Sequence, residues 1–142
     1  MQKNQISLPV DDLPKQWYNI LPDLPEPLPP PKEPEHGPSR FEFLSKTMIK
    51  ECLGQEASTQ RWIPIPEEVR ELYIQAGRPR PLYRARKLEQ HLKLKKTRIY
   101  YKREDLSPTG SHKTNTSLAQ AYFAAKEGKD TLATETGAGQ WG

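Results

Sequence analysis

Cysteine is nearly absent from this chain of 142 residues: Cys52 stands alone. One thiol cannot close an internal disulfide, which excludes the stapled secreted scaffolds and fits a reducing compartment. Long apolar runs are missing too, and no stretch approaches the roughly 18 apolar residues that a membrane-spanning helix needs. The opening residues, Met1 to Pro14, have neither the apolar core of a secretory signal nor the Arg- and Ser-rich character of a transit peptide. A soluble cytoplasmic protein that does not engage a membrane is the expectation. Hydrophobic residues make up only 34% of the chain against 28% charged, which argues against an ordinary compact domain built evenly from end to end.

Proline, by contrast, is abundant. Ten of the 15 prolines lie in the first forty residues, so the apolar shortage is uneven. Asp23 to Pro34 reads DLPEPLPPPKEP. Each proline fixes its own backbone angle, removes an amide proton and pushes its predecessor toward extended geometry. The segment is expected to be a polyproline-like arm rather than a helix or central strand. Trp17, Tyr18 and Ile20 are too apolar for a free linker and are expected to pack the arm onto a larger body.

The net charge of +4 suits an anionic partner in principle. The basic residues are diluted by 18 acidic ones, and no aromatic–basic alternation resembles a nucleic-acid groove, so no nucleic-acid partner is expected. Lys93, Lys95, Lys96 and Arg98 read as a solvated face.

Three regions follow from the patterning: a proline-rich arm (1–40), a helical region (41–96) and the start of an α/β unit (97–142). Phe41, Leu44, Met48, Ile49 and Cys52 are spaced for a helix over Phe41 to Leu53. RWIPIP (Arg61 to Pro66) is extended because of its two prolines. Glu67 and Glu68 supply negative charge where a helix dipole favours it; Val69, Leu72, Tyr73 and Ala76 then recur at helical spacing, and Gly77 ends the element. GRPRPL (Gly77 to Leu82) is an extended turn, and Arg84 to Leu94 a polar surface helix.

TRIYYK (Thr97 to Lys102) reads as a strand. A loop leads into a helix from about Thr114 to Lys126, with Leu118, Ala121, Tyr122 and Ala125 as its buried stripe. TLAT (Thr131 to Thr134) is a second strand before ETGAGQWG. Strand, loop, helix, strand and glycine loop make the beginning of an α/β fold with a parallel sheet.

Two segments carry chemistry. In SPTGSHKTN (Ser107 to Asn115), Lys113 sits between a strand with its glycine-containing loop and the mouth of a helix. The helix amino terminus presents N–H groups and partial positive charge, which repels an ammonium and favours a nucleophilic amine suited to an aldehyde. The bland alternative is an exposed lysine at a helix start. In ETGAGQWG, Gly137 and Gly139 allow close backbone approach, and successive N–H groups can form a nest for a carboxylate or phosphate. Glu135 ends a strand, where open α/β sheets place ligands, and a carboxylate there suits acid/base work.

Taken together, KREDLSPTGSHKTN and TETGAGQWG resemble the beta chain of tryptophan synthase, a fold-type II pyridoxal-phosphate (PLP) enzyme. RWIPIPEEVRELY, GRPRPLYRA and QWYNILPDLPEPLPPP resemble its second, often stand-alone branch, so the likeness covers nearly the whole chain. His112 favours this family over threonine and cysteine synthases and serine dehydratases, which usually carry Phe there. The resemblance implies a three-layer α/β fold with a parallel sheet, of which these residues form the amino-terminal part. It implies Lys113 as Schiff-base lysine and alpha-proton base, with His112 and Asn115 against PLP. Glu135 would help expel the serine hydroxyl and assist indole attack. Thr136, Gly137, Ala138, Gly139 and Gln140 would cradle the substrate carboxylate, with Trp141 where many members have His. The implied reaction is β-replacement, L-serine plus indole giving L-tryptophan and water. A homodimer at full length and an alpha subunit are implied as partners. No metal is called for.

Arg80 departs from the family pattern, standing where R-P-T-P-L has Thr. The family's glycine-rich phosphate cup, pyridine-nitrogen partner and most of the mobile domain are not found in these 142 residues, so the chain is expected to be inactive alone. A different class of function, an interaction module using the proline-rich arm, is the alternative.

Overall fold

The computed structural model describes residues 4–139. Along the chain run β1 (Gln5–Ile6), β2 (Gln16–Tyr18), α1 (Arg40–Thr47), α2 (Lys50–Glu56), β3 (Trp62–Pro64), α3 (Glu67–Gln75), β4 (Leu82–Arg84), α4 (Arg86–His91), β5 (Tyr100–Lys102) and α5 (Thr114–Lys126). Contacts divide them into two compact units, and α3 and α5 contribute residues to both.

One unit holds residues 4–13, 70–117 and 134–139. Its sheet has the order β1-β4-β5, antiparallel throughout, with Tyr83 facing Tyr101 in register. Their rings lie 5.4 Å apart, the kind of cross-strand aromatic pair that stabilises a short ladder. Asn4 fastens one end: its carbonyl accepts from the Arg84 amide at 2.8 Å and its side chain from Arg86 Nε at 2.6 Å.

The helix expected over Arg84 to Leu94 is shorter, because Leu82–Arg84 is taken up as the central strand. Glu89 on α4 explains the arrangement. It is buried, accepts three bonds from the Arg84 guanidinium at 2.8–3.2 Å, and takes the Ile99 amide at 2.9 Å. These contacts hold its carboxyl far below the usual range, at about 2, with the Arg84 hydrogen bond as the leading cause. Lys93 ends α4 at φ 53, a left-handed conformation usually given to glycine. Lys93, Lys95, Lys96 and Arg98 are all exposed, as expected of a solvated face.

Helix α3 matches its expected span and buries Val69 and Tyr73, one turn apart. Gly77, at φ 84, closes it: its amide donates to the Ile74 carbonyl and the Arg78 amide to the Tyr73 carbonyl, both at 2.9 Å. The Arg78 guanidinium lies 4.3 Å over the Tyr73 ring. The Arg78–Pro79 bond is cis.

The other unit holds residues 14–69 and Leu118–Ala133. Here β2 pairs antiparallel with β3, Trp17 opposite Ile63, so the extended RWIPIP segment carries a strand. Trp17 is half-buried and meets Phe123 edge-on at 6.3 Å, while Tyr18 tilts against Trp62 at 5.1 Å. Ile20, expected to join them, is 58% exposed. The proline-rich stretch after Asp23 forms neither helix nor strand up to Ser39 and is almost wholly exposed.

The single helix expected over Phe41 to Leu53 is two. Ser39 caps α1 by accepting the Glu42 amide at 3.1 Å, and the chain leaves helical geometry at Met48 and Ile49. The restart is capped from far away, by the Glu127 carboxylate accepting the Glu51 amide at 3.0 Å. That bond is the main reason the Glu127 carboxyl is held below its ordinary range.

In α5 the buried positions are Ala119, Phe123 and Ala124, not the expected stripe. Leu118 and Tyr122 are half-buried, and Ala121 and Ala125 are exposed. Trp17 selects the Phe123 side of the helix, which rotates the stripe. Gly128 closes α5 as Gly77 closes α3. Thr131 to Thr134 is not a strand: it is exposed and has no ladder partner among the described residues. The parallel pairing expected with Thr97 to Lys102 is therefore not formed, and β5 pairs with β4 instead. A strand needs a neighbour to satisfy its backbone groups, which explains the difference. Among the described residues no helix is long and apolar enough to cross a membrane.

Candidate active site

The candidate site begins where β5 ends. Glu104–Leu106 forms a single 3-10 turn, and the chain then folds tightly to the start of α5. Hydroxyls build this bend. The Ser107 hydroxyl accepts the Ser111 amide and donates to the Ser111 carbonyl, both at 2.7 Å. Gly110 permits the turn at φ 66, a backbone region costly for a side chain. The Thr109 and Thr114 hydroxyls meet at 2.7 Å, and the Ser111 hydroxyl accepts the Lys113 amide at 3.3 Å. Ser107, Ser111 and Thr114 are all buried, so the frame is internal.

The frame places Lys113 at the mouth of α5, half-buried, with its carbonyl already accepting from Thr116 and Ser117 at 3.0 and 2.9 Å. His112 beside it is exposed. Asn115 is half-buried and tightly held: its Oδ1 accepts from Arg80 Nη1 at 3.0 Å and its Nδ2 donates to Glu104 Oε2 at 3.1 Å. Arg80 is 2% exposed, pairs with Glu104 at 3.2 Å, and donates through Nη2 to the Ala76 carbonyl at 2.7 Å.

Glu135 lies exposed in the irregular segment after α5, within the same compact unit as Lys113. Thr136 is half-buried; Gly137, Ala138 and Gly139 are exposed, with Gly139 at φ 78. A side chain at Gly139 would meet nothing within 4 Å, so the glycine serves backbone conformation rather than close packing. Gln140 and Trp141 lie outside the described residues. The structure thus brings Lys113, His112 and Asn115 together at the start of α5 and leaves the glycines at 137 and 139 exposed. Two partners of that turn, Arg80 and Glu104, have no spacing in the sequence that points to them. The one hint was that Arg80 breaks the R-P-T-P-L pattern.

A family model described as pyridoxal-phosphate dependent enzyme matches residues 73–142. The chain is 57% identical over 139 residues to "Tryptophan synthase beta chain 2" of Methanothermobacter thermautotrophicus, covering 98% of this chain and 32% of that relative. Its second half is thus similar to that family, and nearly all of it to a tryptophan synthase beta chain. "Tryptophan synthase beta chain 2" of Pyrococcus furiosus is 55% identical over 139 residues, covering 97% of this chain and 31% of the relative. "Tryptophan synthase beta chain" of Pyrococcus horikoshii is 58% identical over 132 residues, covering 92% and 28%. The chain spans about a third of the length of the curated relatives it matches.

The residues present suit the cofactor named in the family's description. An aldehyde needs an amine, and the Lys113 side chain carries one next to a turn held by buried hydroxyls. Polar oxygens need N–H donors, and the Asn115 carboxamide is oriented one helical position beyond Thr114 on the same helix.

Proposed function

We propose that this chain carries the lysine-bearing part of a PLP site whose reaction is β-replacement: L-serine plus indole gives L-tryptophan and water. The single observation that carries the reading is the turn from Ser107 to Asn115. It presents an amine at a helix mouth from a fixed, buried hydroxyl frame, in a chain 53–58% identical to tryptophan synthase beta chains. An alpha-type partner and a homodimer are proposed on the same family ground.

When bound, the cofactor supplies an electron sink for the carbanion formed at the amino-acid alpha carbon. The chain's own residues do the rest. Lys113 Nζ would hold the cofactor through its aldehyde and, once the amino group of serine has replaced it there, would take the alpha proton of serine. His112 and Asn115 would help to hold the cofactor. Glu135 donates a proton to the departing serine hydroxyl, so that it leaves as water, and the resulting carboxylate receives the proton that indole releases on attack. The backbone N–H groups of Thr136 to Gln140 bind the serine carboxylate, exposed glycines allowing the close approach.

Titration of the pure chain with PLP tests the reading. The expected outcome is a yellow absorbance band that borohydride bleaches, leaving the label on Lys113 by peptide mapping, and that is absent in Lys113→Ala. Equal binding by parent and Lys113→Ala would sink the assignment.

A further inference from the structure

The group that stands out beyond this turn is a buried arginine, Arg80, with the half-buried carboxylate of Glu104 that it pairs with. Arg80 is among the largest fully buried side chains of the protein, and it is charged. Burying a guanidinium is costly unless its donors are met by an opposite charge and by carbonyls. Three of those bonds are present: to Glu104 Oε2, to Asn115 Oδ1 and to the Ala76 carbonyl. Arg80 Nε is fully buried and has no partner among the described residues, so part of the desolvation cost is not recovered there. An apolar residue would fill the same space more cheaply. A charge kept there at a cost invites a role other than stability.

The geometry around Asn115 supplies one. Its carboxamide has two ends of opposite polarity, and each meets a matching charge. Oδ1 faces the guanidinium and Nδ2 faces the carboxylate. A half-turn about the last side-chain bond would set N–H against guanidinium N–H and oxygen against carboxylate, two repulsive contacts replacing two attractive ones. The pair therefore holds the amide in one of its two faces. Arg80 also reaches the carbonyl end of α3 at Ala76, so the same guanidinium ties that helix end to the first turn of α5. Glu104 lies 11 residues before Asn115 and Arg80 35 residues before it, so the arrangement is tertiary.

We infer that Arg80 and Glu104 act as positioning residues, holding the Asn115 carboxamide in a single orientation toward the cofactor attached at Lys113. The inference rests on the proposed placement of Asn115 beside PLP. One Nδ2 hydrogen and one Oδ1 lone pair of Asn115 lie outside its two contacts with the ion pair. Neither Arg80 nor Glu104 needs to touch the cofactor.

Two readouts on the full chain separate this idea from the site assignment. The first uses no cofactor: the Asn115 side-chain NH2 resonances, identified by their loss in Asn115→Asp, in Arg80→Met, Arg80→Lys and Glu104→Gln. Thermal melts establish which variants fold. Arg80→Met is expected to move both resonances and speed their exchange with water, and Arg80→Lys to restore them in part. Glu104→Gln keeps the shape and an acceptor oxygen, and serves if Arg80→Met does not fold. The second readout is PLP affinity at the Lys113-dependent band. It is expected to weaken about tenfold in a folded Arg80→Met or Glu104→Gln chain, the scale of one charge-assisted bond lost from alignment. Unmoved Asn115 resonances in a folded variant would overturn the positioning role. Moved resonances with unchanged PLP affinity would overturn its connection to the cofactor. A parent chain without any Lys113-dependent band would sink the site assignment instead, and the resonances would still decide whether the pair orients Asn115.

Discussion

Replacing Ser107 by Ala should loosen the turn that carries Lys113, and the structure sets the size of the effect. The Ser107 hydroxyl serves one residue twice, accepting the Ser111 amide and donating to the Ser111 carbonyl at 2.7 Å each. Both residues are buried, 7% and 6% exposed. A neutral hydrogen bond contributes about 1 kcal/mol net, and a buried backbone group left without a partner costs about 1–3 kcal/mol. Ser107→Ala should therefore cost about 2–3 kcal/mol. Ser111→Ala is the control, because among the described residues its hydroxyl accepts one long bond, from the Lys113 amide at 3.3 Å, and should cost about 0.5 kcal/mol. Urea unfolding followed by tryptophan fluorescence gives both values, and amide exchange at residue 111 localises the change. A Ser107→Ala chain within about 0.5 kcal/mol of the parent, or no weaker than the control, would refute the claim that this hydroxyl frames the turn.

Two further outcomes follow from other elements. The Glu89 carboxyl titrates at about 2 in the folded chain, below its ordinary range, so its contribution is complete above the unfolded value and is lost as pH falls toward 2. Acid unfolding of parent and Glu89→Gln should accordingly converge as pH falls from 5 to 2, and parallel curves would count against the Arg84 pair as the cause. Gly77→Ala forces a side chain into φ 84 with open space around it, a purely conformational cost of about 1–2 kcal/mol, measurable as a lowered melting temperature.

Local signals in the sequence carry far here, and tertiary ones do not. The helix at Glu67–Gln75, its glycine stop, the helix at Thr114–Lys126 and the Lys113 turn were all legible, because capping, helical period and turn chemistry act over a few residues. The break between α1 and α2 was not, since its cap comes from Glu127. Leu82–Arg84 as a central strand was hidden because its partners lie at Gln5–Ile6 and Tyr100–Lys102. The rotated stripe on α5 depends on Trp17, more than a hundred residues earlier. Thr131–Thr134 has strand composition but no neighbour to pair with among the described residues. At the candidate site, motif matching singled out Lys113 and Asn115 and marked Arg80 as a departure, while the meeting of Arg80 and Glu104 on Asn115 shows only in space.

The Glu127 cap also sets an order of events during synthesis. Its acceptor is made 76 residues after the Glu51 amide it satisfies. At roughly 5–20 residues per second, α2 emerges and waits about 4–15 s before its first turn is secured. A seven-residue helix without that cap is too short to persist in water. Residues 50–56 therefore leave the ribosome as unsettled chain, and their helix is fixed only after α5 has been translated, making the end of one helix the trigger for the start of another.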